Sequence, residues 1–203
     1  EASAKTRIGL HYRSAIDLEI EGEASGDLVA LTGAAKRDAS LDIELPDTVE
    51  FSVYHEVNDQ WAVHGDVLWT NWSKFKQLAP MVHPGIDGQL LVQENWEDTF
   101  RYSMGVTYRH NDKVTYRAGI AYDESPVSNV DRTLRIPDAD RIWLSIGATI
   151  KLSECYNLDL GYTHIFADDA KVDFAAAGGN EGQFRGTASG SVDIIGIGIS
   201  GTF

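Results

Sequence analysis

The feature that most constrains this chain is a two-residue alternation sustained over sixteen residues, 6–21, reading TRIGLHYRSAIDLEIE. Its even positions, Ile8, Leu10, Tyr12, Ile16, Leu18 and Ile20, are apolar apart from Ser14; its odd positions are charged or small. A period of two is the mark of a β-strand with unlike faces. Strands in soluble proteins run about 5–6 residues, so one of this length does not suit an ordinary sandwich. The alternation returns in residues 61–71, 101–110, 113–123, 142–152, 158–166 and 191–203, and less cleanly at about 47–57. That makes about eight strands and no segment with a helical period.

The connectors alternate in length. Short polar turns are expected at Asn58-Asp59, Asn111-Asp112-Lys113 and Ser153-Glu154-Cys155, and long loops at about 23–40, 75–97, 124–140 and 168–186. Short turns at one end and long loops at the other are the build of a transmembrane barrel. Trp61, Trp69, Trp72, Trp96, Phe100, Tyr102 and Trp143 fall near strand ends, where interfacial girdles of aromatics are expected. The last strand closes on Phe203, an aromatic ending common among outer-membrane barrels. The expected fold is all-β, an antiparallel transmembrane β-barrel.

Composition narrows the function classes. Mean hydropathy is −0.23, and no run approaches the roughly 18 apolar residues of a spanning helix. Seventeen Lys+Arg against 31 Asp+Glu give a net charge of −14, which repels phosphate backbones, so nucleic acid is not an expected partner. Cys155 is the single cysteine, so no intrachain disulfide is possible. The six histidines lack metal-binding spacings, and neither a GxSxG nor a phosphate-binding loop occurs, so no metal, cofactor or catalysis is expected. Asp168, Asp169 and Asp173 read as a solvated acidic loop or a surface Ca²⁺ site.

Several strings carry a resemblance. They are Gln60–His64 leading to Trp69–Phe75, Trp96–Tyr102 with Gly105 and Tyr108, Tyr116–Val127, and Arg135–Ser145. In order and spacing they resemble the C-terminal half of the FadL family, the long-chain fatty acid transporters of Gram-negative outer membranes. The resemblance runs from about Lys5 to Phe203. It implies a fourteen-stranded barrel plugged by an N-terminal hatch, with hydrophobic ligands captured outside and released sideways through the wall. Residues 1–203 would then supply the last eight strands, and the hatch, the two loops of the outer groove and the kinked exit strand would belong to a missing half. Physics agrees that eight strands are not the whole. A closed eight-stranded barrel is just filled by side chains, whereas Arg7, Arg13, Arg101, Arg109 and Arg117 with Asp17, Glu19, Asp66, Asp123 and Asp159 need a wider, wet lumen.

Candidate ligand-binding residues follow. Arg101, Arg117, Asp123 and Arg135, with Asp138, Asp140 and Arg141, would meet a ligand carboxylate or brace the hatch; structural ion pairs of a polar lumen are the other reading. Arg101 and Arg117 are favoured because guanidinium grips carboxylate bidentately. Trp72, Phe75 and Phe100 flank the 75–97 loop and suit an acyl pocket or an outer girdle. Lys74 and Lys76 beside them would greet a carboxylate or snorkel to headgroups. Val92 and Gln93 stand where the family suggests a lysine before Trp96, which keeps less polar ligands open.

The expected function is passive uptake of long-chain fatty acids or similar hydrophobic compounds across the outer membrane. The expected partners are that ligand and the surrounding membrane lipid and lipopolysaccharide; the oligomeric state is open. The competing reading is a surface barrel, an adhesin or phage receptor, that transports nothing.

Overall fold

The computed structural model describes residues 5–30, 33–83, 92–129, 131–173 and 185–201; Phe203 lies outside them. In chain order the strands are β1 (Thr6–Arg13), β2 (Ile16–Ser25), β3 (Lys36–Leu45), β4 (Thr48–Glu56) and β5 (Trp61–Thr70). The short β6 (Gln77–Leu78), β7 (Met81–His83) and β8 (Val92–Gln93) follow, then β9 (Thr99–Arg109), β10 (Val114–Asp123), β11 (Arg141–Lys151) and β12 (Tyr156–Ala167). The chain ends with β13 (Ala170–Asp173), β14 (Arg185–Ala188) and β15 (Ser191–Gly201). The helix α1 (Asp27–Ala30) is four residues long.

Eight of these strands form one antiparallel sheet in the order β1-β4-β5-β9-β10-β11-β12-β15, as the alternation predicts. Among the described residues no register joins β1 to β15, so the sheet is open. Registers keep the faces in phase from strand to strand: Leu68 lies opposite Arg101, Arg101 opposite Asp123, and Asp123 opposite Arg141. The other parity carries the apolar set. Met104 is 72% exposed, Ile146 64% and Ile195 76%, values that leave these side chains no protein to pack on. Hydrocarbon is the solvent that makes such a face favourable.

Aromatics mark the edges of this face. Phe100 and Tyr102 stack at 6.0 Å near the long-connector end, and Trp61 and Tyr108 at 4.5 Å near the short-turn end. The eight steps of β9 from Phe100 to Tyr108 cover about 26 Å at the usual rise, close to the roughly 25 Å apolar band of outer-membrane barrels. Three expected girdle members are elsewhere. Trp143 is on the inward face of β11, because it shares parity with Arg141 and Ser145, and Trp72 and Trp96 pack on each other above the sheet.

The short turns share one mechanism. Asn58 Oδ1 accepts the N–H groups of Gln60 and Trp61, Asn111 Oδ1 those of Lys113 and Val114, and Ser153 Oγ those of Cys155 and Tyr156. A side-chain oxygen two and three residues upstream thus closes each hairpin.

The run at 6–21 differs from the single strand expected. Pairing with β4 ends at Arg13–Thr48 and resumes as β2–β3 at Ile16–Leu45, so Ser14-Ala15 lie opposite Pro46-Asp47. Pro46 has no N–H to donate, and the Asp47 carbonyl accepts from Asn71 N instead, so the ladder is interrupted there. The loop expected at 23–40 is thereby shortened, its two ends, 23–25 and 36–40, belonging to β2 and β3. Asp17 and Glu19 leave the lumen set for a β2–β3 ribbon that extends past the main sheet and is joined by β7. Val29 and Val82 bury themselves on its Ala24 and Ala39.

Replacing Ile146 by Arg in the full-length protein should destabilise the vesicle-folded state by about 2–4 kcal/mol, the usual penalty at mid-bilayer. Gly161→Ala, whose added methyl meets nothing within 4 Å, should stay near neutral in the same denaturant titration.

Candidate functional site

The connector from β5 to β9 folds back on itself at the long-connector end. Its outgoing arm turns tightly, with Phe75 N donating to Trp72 O at 2.8 Å, and is anchored by Asn71 on Asp47 and by Ser73 N on the Asp98 carboxylate. The returning arm pairs with it: Glu94 N and Asn95 N both donate to Lys76 O, and Trp96 N to Phe75 O. Asn95 has a positive φ of 46°, a conformation its short polar side chain tolerates better than most. This fold-back brings three rings together. Trp96 lies 4.6 Å from Phe75 and 5.0 Å from Trp72, centroid to centroid, and Trp72 lies 6.4 Å from Phe75. All three are half-buried and leave part of an aromatic surface open.

Beside them is a cavity of about 580 Å³, lined by Lys74, Phe75 and Lys76 on one side and by Asp17, Glu19, Asp42 and Glu44 of the ribbon on the other. Lys74 Nζ lies 3.2 Å from both Glu44 and Asp47. Hydrogen bonds to Asp47, then to Glu44, raise the lysine above its ordinary value. At Asp47 burial pulls upward, but hydrogen bonds from Asn71 and Lys74 outweigh it and hold the carboxyl low.

Glu94 is only 2% exposed and accepts a 3.2 Å hydrogen bond from the Trp96 indole. Burial pushes its carboxyl upward; the indole and the charge of Arg135 work against this, and Asp131 adds to it. The 124–140 connector is organised by Arg132, 8% exposed, whose guanidinium donates to the carbonyls of Asp138, Val127 and Lys171 and to Asn129. Neither Glu94 nor Arg132 was among the residues expected from sequence. Both sit in aperiodic loops, where nothing local announces burial.

The inward face below is charged and cross-linked. Arg101 stacks 4.6 Å over the Trp143 ring, and Arg141 bridges Asp123 at 3.4 Å and Asp138 at 3.3 Å. Arg101 Nε, Arg141 Nε and Trp143 Nε1 are buried with no acceptor among the described residues. Arg117 donates to Thr149 at 2.7 Å, and Thr149 to Asp159 at 2.5 Å, so a hydroxyl relays one charge to the other. Towards the short turns Arg109 bonds Tyr54 and Glu56, and Arg7 stacks 4.3 Å over Tyr54. The structure thus groups Trp72, Phe75 and Lys76 at the mouth, and Arg101 with Asp123 on adjacent strands beneath it. Arg117 lies lower on the wall. Arg135 is an exposed loop residue near Glu94, and Phe100 faces outward with Tyr102.

Residues 1–203 match the family described as outer membrane protein transport protein (OMPP1/FadL/TodX) over their whole length. The chain belongs to this family. The long-chain fatty acid transport protein of Escherichia coli K12 is 32% identical over 214 residues, covering 100% of this chain and 46% of that protein. A 47 kDa outer membrane protein of Pasteurella multocida is 34% identical over 179 residues, covering 81% of this chain and 41% of its own length. A crystal structure of a Pseudomonas aeruginosa FadL homologue superposes with a TM-score of 0.85 at 23% identity, over 98% of this chain and 49% of that one. The Pseudomonas putida toluene transporter TodX gives 0.65 at 16%, over 100% and 47%. The chain spans about half the length of the curated relatives it matches. Family membership places it in the outer membrane, and its open eight-stranded sheet shares the fold of about half of each superposed structure.

The raised Glu94 carboxyl has a consequence for pH. An acid whose folded pKa exceeds its unfolded one is neutral in both states at low pH, and its ionisation opposes folding as pH rises past the unfolded value of about 4.3. Glu94→Gln should therefore slow proteolysis of the 72–97 segment several-fold at neutral pH in the full-length protein, and the difference should close on acidification.

Proposed function

We propose that the full-length protein is a passive outer-membrane channel for hydrophobic compounds such as long-chain fatty acids. The observation that carries this reading is the 32% identity, across the whole chain, to a protein named for long-chain fatty acid transport. The geometry supports it. An aromatic surface formed by Trp72, Phe75 and Trp96 stands at the long-connector end, where a solute arriving from outside meets the protein. An apolar solute gains there the burial energy that water denies it, about 25 cal/mol per Å² of apolar surface covered.

Capture is followed by passage along the inward face, past Arg101, Asp123 and Arg117, and by release to the membrane or periplasm. Lys76 borders the capture surface, Arg135 acts through the loops, and Phe100 belongs to the lipid-facing girdle. No covalent step, metal or cofactor is part of this mechanism. In this reading residues 1–203 are the C-terminal part of one outer-membrane barrel domain, which further wall strands and a plug would complete in the full-length protein.

Deleting the gene should abolish growth on oleate and lower uptake of labelled oleate; normal uptake in the deletion strain would falsify the reading for that substrate. Trp96→Ala should cut uptake by roughly tenfold, the effect of losing one to two kcal/mol of aromatic contact. Tyr116→Ala, on the lipid-facing side, should leave uptake near the parental rate.

A further inference from the structure

On the outward face of β10, β11, β12 and β15 the registers set side chains in rows that run across the strands. One row carries Tyr116, Ala148 and Leu160, and the next carries Ile146, Tyr162 and Ile195. Between them lies an apolar groove of about 520 Å³ whose floor is main chain. Further strands join a sheet at its edges. The outward face of β10, β11 and β12, which are interior strands, therefore stays open to the surroundings whatever completes the wall.

Two tyrosines keep the groove clear. Tyr162 donates its hydroxyl to Asp193 at 2.7 Å, and Asp193 also bonds His164 at 2.7 Å, the two facing each other one row nearer the long connectors. The Tyr162 ring therefore leans away from Leu160. Tyr116 leans the opposite way: its ring lies 6.2 Å from His110, which approaches Tyr108, which stacks on Trp61. On β11, between these two strands, Ala148 adds a single methyl group.

The groove also has a slope. Tyr116 is the third residue of β10 after its short turn, whereas Tyr162 is the seventh of β12 after its own. It thus starts beside the aromatics of the short-turn interface and climbs four residues, about 13 Å along a strand, into the apolar band. A band of roughly 25 Å gives each leaflet about half of that height. An acyl chain from the leaflet on the short-turn side has this origin, direction and reach, and membership of an outer-membrane family puts hydrocarbon against this face. A chain in the groove meets apolar side chains on both flanks, where a flat wall offers contact on one side only.

We propose that this groove binds one acyl chain of a phospholipid from the leaflet on the short-turn side, with the headgroup at the level of His110 and Tyr116. The lipid is a resident of the outer wall, held whatever solute the lumen carries. The bond from Tyr162 to Asp193 is the positioning contact that holds the groove open.

The test is native mass spectrometry of the full-length protein, delipidated in detergent and titrated with palmitoyl-oleoyl phosphatidylethanolamine. The first lipid should bind about tenfold more tightly than those that follow. Ala148→Trp, which fills the groove, should abolish that gap, and Tyr162→Phe, which frees the ring, should narrow it several-fold. Tyr162→Phe also serves should Ala148→Trp fail to fold. Met104→Trp places the same indole on β9, outside the groove at a position 72% exposed, and should leave the gap intact. A wild-type protein without a distinct first lipid overturns the proposal, as does a gap that neither groove variant changes or that Met104→Trp removes as well. A gap lost in Ala148→Trp and unmoved in Tyr162→Phe overturns the positioning role of the tyrosine. A wild-type dimer that Ala148→Trp dissolves assigns the groove to a second copy and overturns the lipid site.

Discussion

A backbone that crosses hydrocarbon has no water to bond, so each N–H and C=O must find a partner within the protein. Everything else in this chain is arranged around that requirement. A sheet meets it strand by strand, and the pleat then sends alternate side chains to opposite solvents. Ile146 and Ile195 can be exposed because lipid surrounds them, while Arg101, Asp123 and Arg141 are tolerated because the same pleat turns them inward, where Arg141 and Asp123 bridge. The requirement also explains why the sheet continues only as far as it does. Once Pro46 withdraws a donor, the ladder stops, and the chain resumes as a ribbon outside the main sheet, free to carry an acidic face.

The main strands and the short turns were legible in the sequence because both are local. A period of two states which residues share a face, and Asn or Ser at a hairpin states how the turn closes. The inward placement of Trp143 was present in that pattern too: it alternates with Ile142 and Leu144, and parity outranks the preference of tryptophan for an interface. The loop strands were not legible. β6 and β8 are two residues each and exist because Gln77 meets Gln93 across a fold-back, a pairing no window of sequence contains.

The same limit applies to the mouth. Trp72, Phe75 and Lys76 could be singled out as residue types suited to an amphiphile. What they are bonded to could not. Lys74 looks like a free ammonium in the sequence and is a counter-ion for Asp47 in the fold. Glu94 looks like a solvated loop acid and is buried under Trp96. Arg132 is held by main-chain carbonyls drawn from two connectors, one of them 39 residues away along the chain. Charge at a site is therefore a property of partners and not of composition: the net −14 says that carboxylates are in excess, and only the geometry says which of them hold a cation.

The three short turns bear on how such a sheet is made. In each, a side chain only two or three positions upstream secures the corner, so β4 with β5, β9 with β10, and β11 with β12 are hairpins whose corners form from neighbouring residues alone. The loop-closure entropy of those contacts is small, whereas joining one hairpin to the next spans the long connectors and is correspondingly slow. By loop-closure entropy, the seams beneath the long connectors therefore cost more to close than the hairpins themselves. The aromatic trio and the Arg132 hub lie on the connectors above two of those seams, so the mouth is built from the segments that join one hairpin to the next.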